Sequence, residues 1–368
     1  MRYLPEILAL FFWLSGFFLL WKIPFCRRNG MRNKILPQVA VIIPARNEEK
    51  NLPTLLQSIK EQNVAPAEII VVDDQSTDNT SSSAAHYGAR VIQVKDKPSG
   101  WIGKSWACWI GARSAQSDVF IFLDADTRLT HSGLENILKE WSCKRGLIAI
   151  QPYHSTEKLY EKLSGFLNII VMAGINAFTP LGEKYKPAGS FGPCIICSRK
   201  DYFSTGGHEV IKNEVLEDIH FGRNFMAHDI PVRCYGGKGS IHFRMYPAGM
   251  KGLIEGWSKS FALGASGTRP LVLISVILWI AGCFTALTSF IPHGGDGGGE
   301  VFPLSVFLYL LYVLQAFWMF RRIGDFGFLT ALLYPLPLLF FVFIFANSFL
   351  NTFVFKKVTW KGRDIYNP

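Results

Sequence analysis

The sequence predicts an α/β domain with a mostly parallel central sheet, flanked by N- and C-terminal transmembrane helices. Three observations carry that prediction. Five short runs of β-favouring apolar residues alternate with helical stretches through the middle of the chain. Both ends hold apolar runs that span, or nearly span, a bilayer. Acidic clusters follow three of the middle runs, at the strand ends where open α/β sheets place their ligands.

The first element is the apolar stretch LPEILALFFWLSGFFLLW, residues 4–21. No small-residue cleavage site follows it; Lys22, Arg27, Arg28, Arg32 and Lys34 do, which marks a retained anchor (residues 1–25) rather than a cleaved signal. That basic flank also places the next domain in the cytoplasm. At the other end, residues 270–355 form a C-terminal membrane region with apolar runs at 270–291, 301–320 and 328–355, broken by HGGDGGGE and by Arg321 and Arg322. Pro335 and Pro337 interrupt the third run, which either crosses once or dips in and returns. A tail, 356–368, follows with Lys356, Lys357 and Lys361. The composition agrees: 49% of residues are hydrophobic and 30 of 368 are Phe, heavy for a soluble enzyme.

Between 38 and 265 lies the catalytic candidate. VAVII (39–43), EIIVV (68–72), RVIQV (90–94), VFIFL (119–123) and LIAI (147–150) read as strands, and 48–60, 78–87, 104–116 and 132–143 as the helices between them. Such a sheet is covered on both faces. The apolar segment 162–178 reads equally as a core helix or as an interfacial one.

Partners follow from charge. The formal net charge of +10 suits an anionic membrane surface or an anionic substrate. No basic run interleaves with aromatics in a nucleic-acid module, so no nucleic acid is expected. Seven scattered cysteines argue against a disulfide scaffold, and the C-x-x-C of Cys194 and Cys197 lacks a second pair to make a zinc site.

The chemistry sits at the strand ends. Asp124 and Asp126, two apart after VFIFL, face the same side if the extended chain continues. Carboxylates held that close call for a cation between them, and hard oxygen ligands suit Mg²⁺ or Mn²⁺. Asp73 and Asp74 follow EIIVV, and one of them suits a base N–H or ribose hydroxyls. Thr77 or Asp78 reads as a helix cap. Arg46 and Glu48, after VAVII, are candidates for nucleotide contacts, while Glu49 reads as helix-dipole decoration. KPSGWIGKSWAC (97–108) has the outline of a phosphate loop, but Pro98 stands where a Walker A loop needs glycine. Lys104, at a helix start beside Gly100 and Gly103, still suits an anion. His242 after a possible last strand reads as either a metal ligand or polar filler, and Arg244 as a contact to a diphosphate or a carboxylate acceptor. Trp257 in 250–265 reads as an aromatic anchor or acceptor platform, and His208 and His220 as structural.

In order, VIIPARNEEKNLPTLLQSI, IIVVDDQSTDNT, FLDADT, GPCIICSRKDYFSTGGHE and VLEDIHFGRNF resemble the family 2 glycosyltransferases of the GT-A (nucleotide-diphospho-sugar transferase) fold over about 38–265. The resemblance implies inverting, metal-assisted transfer of a hexose from a nucleotide sugar, with UDP-glucose as the expected donor. It implies that Pro44, Arg46 and Glu48 line the nucleotide pocket, that Asp73 or Asp74 holds the base, and that Asp124 contacts ribose or metal. Asp126 would ligate the metal. Asp218, in LEDIH, would be the catalytic base with Glu217 beside it. PSGWIGKSWA is similar to a subgroup with lipid acceptors that includes the bacterial carotenoid-acid (diaponeurosporenoate) glucosyltransferases and the hopanoid-associated glycosyltransferases, while residues 243–265 and the terminal membrane segments resemble the carotenoid branch; this makes a lipid or carotenoid acceptor the expected partner and puts Lys104 on the donor diphosphate. The Q-x-x-R-W motif of polymer synthases is replaced by EGWSKS, so no long polymer is expected. The competing expectations are a hopanoid or polyprenyl phosphate acceptor, or a membrane transport or scaffold protein with a degenerate nucleotide fold.

Overall fold

The computed structural model describes residues 4–26, 36–214, 216–259, 261, 264, 267–291, 298–354, 357–360 and 363–366. In chain order the elements are α1 (Leu4–Leu19), β1 (Val39–Ala45), α2 (Leu52–Lys60), β2 (Glu68–Asp73), α3 (Thr80–His86), β3 (Arg90–Gln93), α4 (Gly103–Ser114), β4 (Val119–Leu123), β5 (Thr127–Leu129), α5 (Gly133–Cys143), β6 (Leu147–Gln151) and β7 (Tyr153–His154). They continue with α6 (Gly165–Gly174), β8 (Cys194–Ser198), α7 (Arg199–Ser204), α8 (Glu217–Ala227), β9 (Val232–Gly236), β10 (Ile241–Phe243) and α9 (Met250–Ser258). Last come α10 (Pro270–Thr288), α11 (Gly298–Ile323), α12 (Gly327–Leu332), α13 (Pro335–Phe349) and a terminal hairpin, β11 (Lys357–Trp360) with β12 (Arg363–Tyr366). Arg27, Arg28, Arg32, Lys34, residues 293–297 of the HGGDGGGE break, Lys356 and Lys361 lie outside the described residues.

The chain forms two compact units. One comprises Pro24–His154 and Pro187–Met245. Its seven-stranded sheet runs β3-β2-β1-β4-β8-β6-β9. All neighbours pair in parallel except β8, which is antiparallel to both β4 and β6. Five expected strands are present, and β8 is the strand that makes the sheet mostly rather than wholly parallel. β1, β4 and residues 69–72 of β2 are apolar because helices cover both faces; Val41, Ile43, Val71 and Ile121 pack with Leu52, Leu55, Leu56 and Ile59 of α2. Cys194 and Cys197, three apart on β8, point to opposite faces and are both fully buried, so they share no ligand. β5, β10 and β7 form a second, three-stranded sheet.

The helix expected from residue 48 begins at Leu52. Asn47 takes a left-handed φ of 53°, and the Glu48 carboxylate accepts from Asn51 Nδ2 at 2.8 Å, so 47–51 form a turn that delivers the strand end before the helix starts.

The second unit joins Met1–Ile23, Ser155–Lys186 and the chain from Tyr246 onward. Residues 155–186 and 246–265, expected in the α/β domain, therefore belong with the terminal helices. The reason is α6, GFLNIIVMAG, which has no polar face to show water. Phe166 stacks on Trp279 with centroids 5.1 Å apart and also meets Phe320 and Tyr334. Buried polar groups pair between helices: Trp279 Nε1 donates to Gln315 Oε1 (2.8 Å), Gln315 Nε2 to the Trp13 carbonyl (2.7 Å), and Tyr312 Oη to the Ala9 carbonyl (2.8 Å). Pro270–Thr288, Pro303–Ile323 and Pro335–Thr352 are long and apolar enough to cross a membrane; α1 is apolar but shorter. The third apolar run is broken at Leu333 and Tyr334, where Pro335 cannot continue α12.

α4 lies close against the sheet because Gly111 has no side chain: a Cβ there would sit 2.4 Å from Ile42 Cγ2 and 3.2 Å from Val72 Cγ2. Gly111→Leu is expected to cost about 1–3 kcal/mol through overpacking. The check is the thermal unfolding midpoint of purified protein, which should fall relative to a Gly111→Ala control.

Candidate active site

Three strand ends and two helix starts build the site, all within the α/β unit. β1 hands the chain to Arg46, and the Asp74 N–H donates back to the Ala45 carbonyl at 2.9 Å, which sets the two loops side by side. Asp73 and Asp74 then separate in role. The Asp73 carboxylate accepts from the Ser76 N–H (2.8 Å) and from Ser81 Oγ, so it is used up in turning the chain into α3. Asp74 is buried, its Oδ1 has no protein partner, and its Oδ2 lies 4.0 Å from Arg46 Nη1. It rests on Gly103, where a Cβ would lie 2.2 Å from Oδ2. Of the two acids, Asp74 is the one left with capacity for a ligand donor.

The neighbouring acids mostly hold the loops. Asn47 Oδ1 accepts from the Thr77 N–H at 2.8 Å, Glu49 Oε2 from the Asn79 N–H at 3.1 Å, and the Glu48 N–H donates to Thr80 Oγ1 at 2.9 Å. Glu49 is therefore a cross-loop acceptor, more specific than a dipole decoration. Asp78 accepts from Thr80 and from the Glu49 N–H.

Lys104 is the hub. It opens α4, whose first turn has no side-chain cap. Its Nζ lies 3.0 Å from Asp124 Oδ1, 3.5 Å from Asp218 Oδ1 and 3.6 Å from Glu217 Oε1. Asp124 comes from the end of β4 and the other two from the start of α8, so one ammonium joins acids far apart in the chain. Burial works against its charge, yet Asp124, Asp218 and Glu217 outweigh it and hold Lys104 well above the usual lysine range. The Cys108 thiol, one turn on, is pushed up by burial and stays neutral.

The acids feel the crowding. Burial, then Asp124 and Glu48, push Asp126 up to about 7. Burial also pushes Asp218 up to about 7; Glu217 and Asp124 add to the rise and Lys104 opposes it. The Asp218 side chain keeps 31% of its exposure, so water reaches it. Asp124, Glu217 and Asp218 share one lysine here, and Asp126 lies close enough to feel Asp124, Glu48 and Lys104. Such a set fits a hard divalent cation. Among the described residues, though, no three His, Cys, Asp or Glu side chains already converge as a metal set. Asp124 and Asp126 are two hard oxygen donors, which would leave most ligand positions of such a cation to other groups.

His242 lies on the second, three-stranded sheet. It sits on β10, opposite Arg128 of β5, with its ring 5.3 Å from that of Tyr153. Arg244 follows β10, half-buried. Pro44 pairs with Val72 inside the sheet. Trp257, expected as an open aromatic anchor, lies in the helical unit at 7% exposure; its Nε1 donates to Ser164 Oγ (3.1 Å) and its ring meets Tyr246 and Phe261. It packs and hydrogen-bonds inward instead of facing out.

His208 is fully enclosed by aromatics: it stacks on Phe221 at 4.5 Å and shares a 2.9 Å hydrogen bond with Tyr202 Oη. His220 Nε2 lies 3.4 Å from Glu214. Sequence reading passed over the loop 188–193, AGSFGP, which touches both acidic clusters. Its small residues ahead of an apolar strand were the available signal.

Residues 40–203 match the model for glycosyl transferase family 2. The chain is 39% identical over 342 residues to the 4,4'-diaponeurosporenoate glycosyltransferase of Staphylococcus haemolyticus (strain JCSC1435), covering 89% of this chain and 88% of that protein. To the 4,4'-diaponeurosporenoate glycosyltransferase of Staphylococcus aureus (strain N315) it is 36% identical over 348 residues, 92% of each. Among solved structures, the mannosyltransferase PcManGT from Pyrobaculum calidifontis, in complex with GDP-Man and Mn²⁺, superposes with a TM-score of 0.51 at 16% identity, over 90% of this chain and 98% of that one. That likeness shows the fold, GT-A.

His208 makes a pH prediction. Burial pushes its pKa down to about 3 from an ordinary 6.5. The folded state keeps the ring neutral while the unfolded chain takes up a proton below about 6.5. Stability is thus fully present above that pH and is lost as pH falls toward 3, by about 2–3 kcal/mol at pH 4.5. Melting curves at pH 7 and pH 4.5 should show this acid loss in the native protein and a smaller one in His208→Phe.

Proposed function

The chain belongs to glycosyl transferase family 2, and on that premise we propose that it is a membrane-bound inverting glycosyltransferase moving a hexose, glucose from UDP-glucose, onto the carboxylate of a carotenoid acid. The observation that carries the reading is the joining of Asp124, Glu217 and Asp218 around Lys104. The relatives named for diaponeurosporenoate support the acceptor class, since they align with nearly the whole chain.

In this reading Asp74 takes the donated N–H of the base, with Arg46 beside it. Asp124 and Asp126 would hold Mg²⁺ or Mn²⁺, which when bound neutralises the diphosphate. Lys104 supplies further positive charge where the leaving group forms. An acceptor carboxylate oxygen attacks the anomeric carbon, the bond from that carbon to the diphosphate oxygen breaks, and configuration inverts. The products are a glycosyl ester and a nucleoside diphosphate. A carboxylic acid is already ionised near neutral pH, so Asp218 has no proton to remove from it. Asp218 orients the acceptor instead, with Glu217 beside it. Arg244 is proposed to face the acceptor carboxylate; Trp257, being buried, is proposed to shape its path only indirectly. The helices α10, α11 and α13 are proposed to cross the membrane, with Arg321 and Arg322 at the cytoplasmic side and the α/β unit in the cytoplasm.

Purified protein in detergent, given UDP-glucose and a polyene carboxylic acid with Mn²⁺ or Mg²⁺, should yield the glucosyl ester by intact-mass analysis. Transfer to a hopanoid or polyprenyl phosphate alone, or to none of the acceptors, would sink this reading. Asp218→Asn should cost less than about 10-fold on the carboxylate acceptor. General-base removal on a matched alcohol acceptor should cost about 10²–10⁴-fold.

A further inference from the structure

We propose that Ser190 is a positioning residue for Asp218, and that the loop 188–193 fixes the two acidic clusters of the site in one piece; this rests on the reading that Asp218 works at the reaction centre. Ser190 is buried at 1% exposure. Its Oγ–H donates to the Asp218 carbonyl at 2.6 Å and its N–H to the same oxygen at 3.4 Å. Two residues on, Gly192 lies directly against the Asp218 carboxylate: a Cβ there would sit 1.8 Å from Oδ2. The next residue, Pro193, accepts from the Asp124 N–H at 3.0 Å. Three residues of one short loop, Ser190, Gly192 and Pro193, therefore hold Asp218 by its main chain, leave space for its side chain and anchor the strand end that carries Asp124.

The attachment extends along α8. Gly189 and Gly222 meet backbone to backbone, since a Cβ on Gly222 would lie 2.4 Å from Gly189 C. Arg223 Nε donates to the Ala188 carbonyl at 2.8 Å. Helix α8 cannot slide along this loop without breaking these contacts together. A carboxylate that must meet a substrate atom within a few tenths of an ångström gains from that rigidity.

The test is a double-mutant cycle in the full-length protein with Ser190→Ala, Asp218→Asn and the pair, measured on a matched alcohol acceptor, where Asp218 has most to do. Ser190→Ala should lower kcat about tenfold with the KM for the nucleotide sugar within about twofold. The pair should be no slower than Asp218→Asn alone. Multiplicative losses in the pair, or a loss confined to KM, would overturn the positioning role while leaving Asp218 in place. If Asp218→Asn alone changes nothing, the reading of the site fails first and takes this role with it. Gly192→Ala serves as the second probe: it should cost at least about tenfold in kcat in the native background and nothing further beside Asp218→Ala. Melting curves of each variant establish that it folds.

Discussion

One ammonium among three carboxylates is the constraint on which the site depends. Without Lys104, Asp124 would stand beside Glu217 and Asp218 with no positive charge between the end of β4 and the start of α8. Like charges at that spacing would either take up protons or push the elements apart. With it, the two sides of the site close on each other while keeping a net negative charge. That residual charge suits a cation. The position of Lys104 depends in turn on small residues: Gly103 lets Asp74 approach the helix start, and Gly111 lets α4 lie on the sheet.

Much of the α/β unit was legible in the sequence because strand and helix periods are local. VAVII, EIIVV and VFIFL could be read directly, since a strand covered on both faces has no polar positions to confuse the pattern. The acids at strand ends were legible for the same reason, being the first polar residues after an apolar run. Asp73 and Asp74 were not separable by sequence. Their difference comes from Ser81, on the following helix, and from Gly103, which only the fold brings near. Trp257 departs from expectation because residue type suggests chemistry while surroundings decide it. The packing of α9 turns Trp257 inward.

The unit boundary was the least legible feature. Residues 155–186 follow a strand and precede another, so chain order assigns them to the sheet domain. Their contacts lie elsewhere: the Thr156 N–H donates to Asp325 Oδ1 at 2.6 Å, and Asn176 Oδ1 accepts from the Arg269 N–H at 3.2 Å. Apolar content was the available hint. An all-round apolar ten-residue helix needs partners on every side, and α10, α11 and α13 provide them.

The helical unit has a bearing on biosynthesis. Its first helix finds its partner in α10, where Ser15 Oγ donates to the Ser275 carbonyl and Gly16 admits the Trp279 ring. On the ribosome α1 emerges long before that partner exists. At the usual elongation speed of ~5–20 residues per second, the roughly 250 residues separating the two take about 10–50 s to make. During that interval the nascent first helix, with Glu6 along it, must be kept from aggregation by something other than its own chain, and lipid or an insertase is the natural custodian.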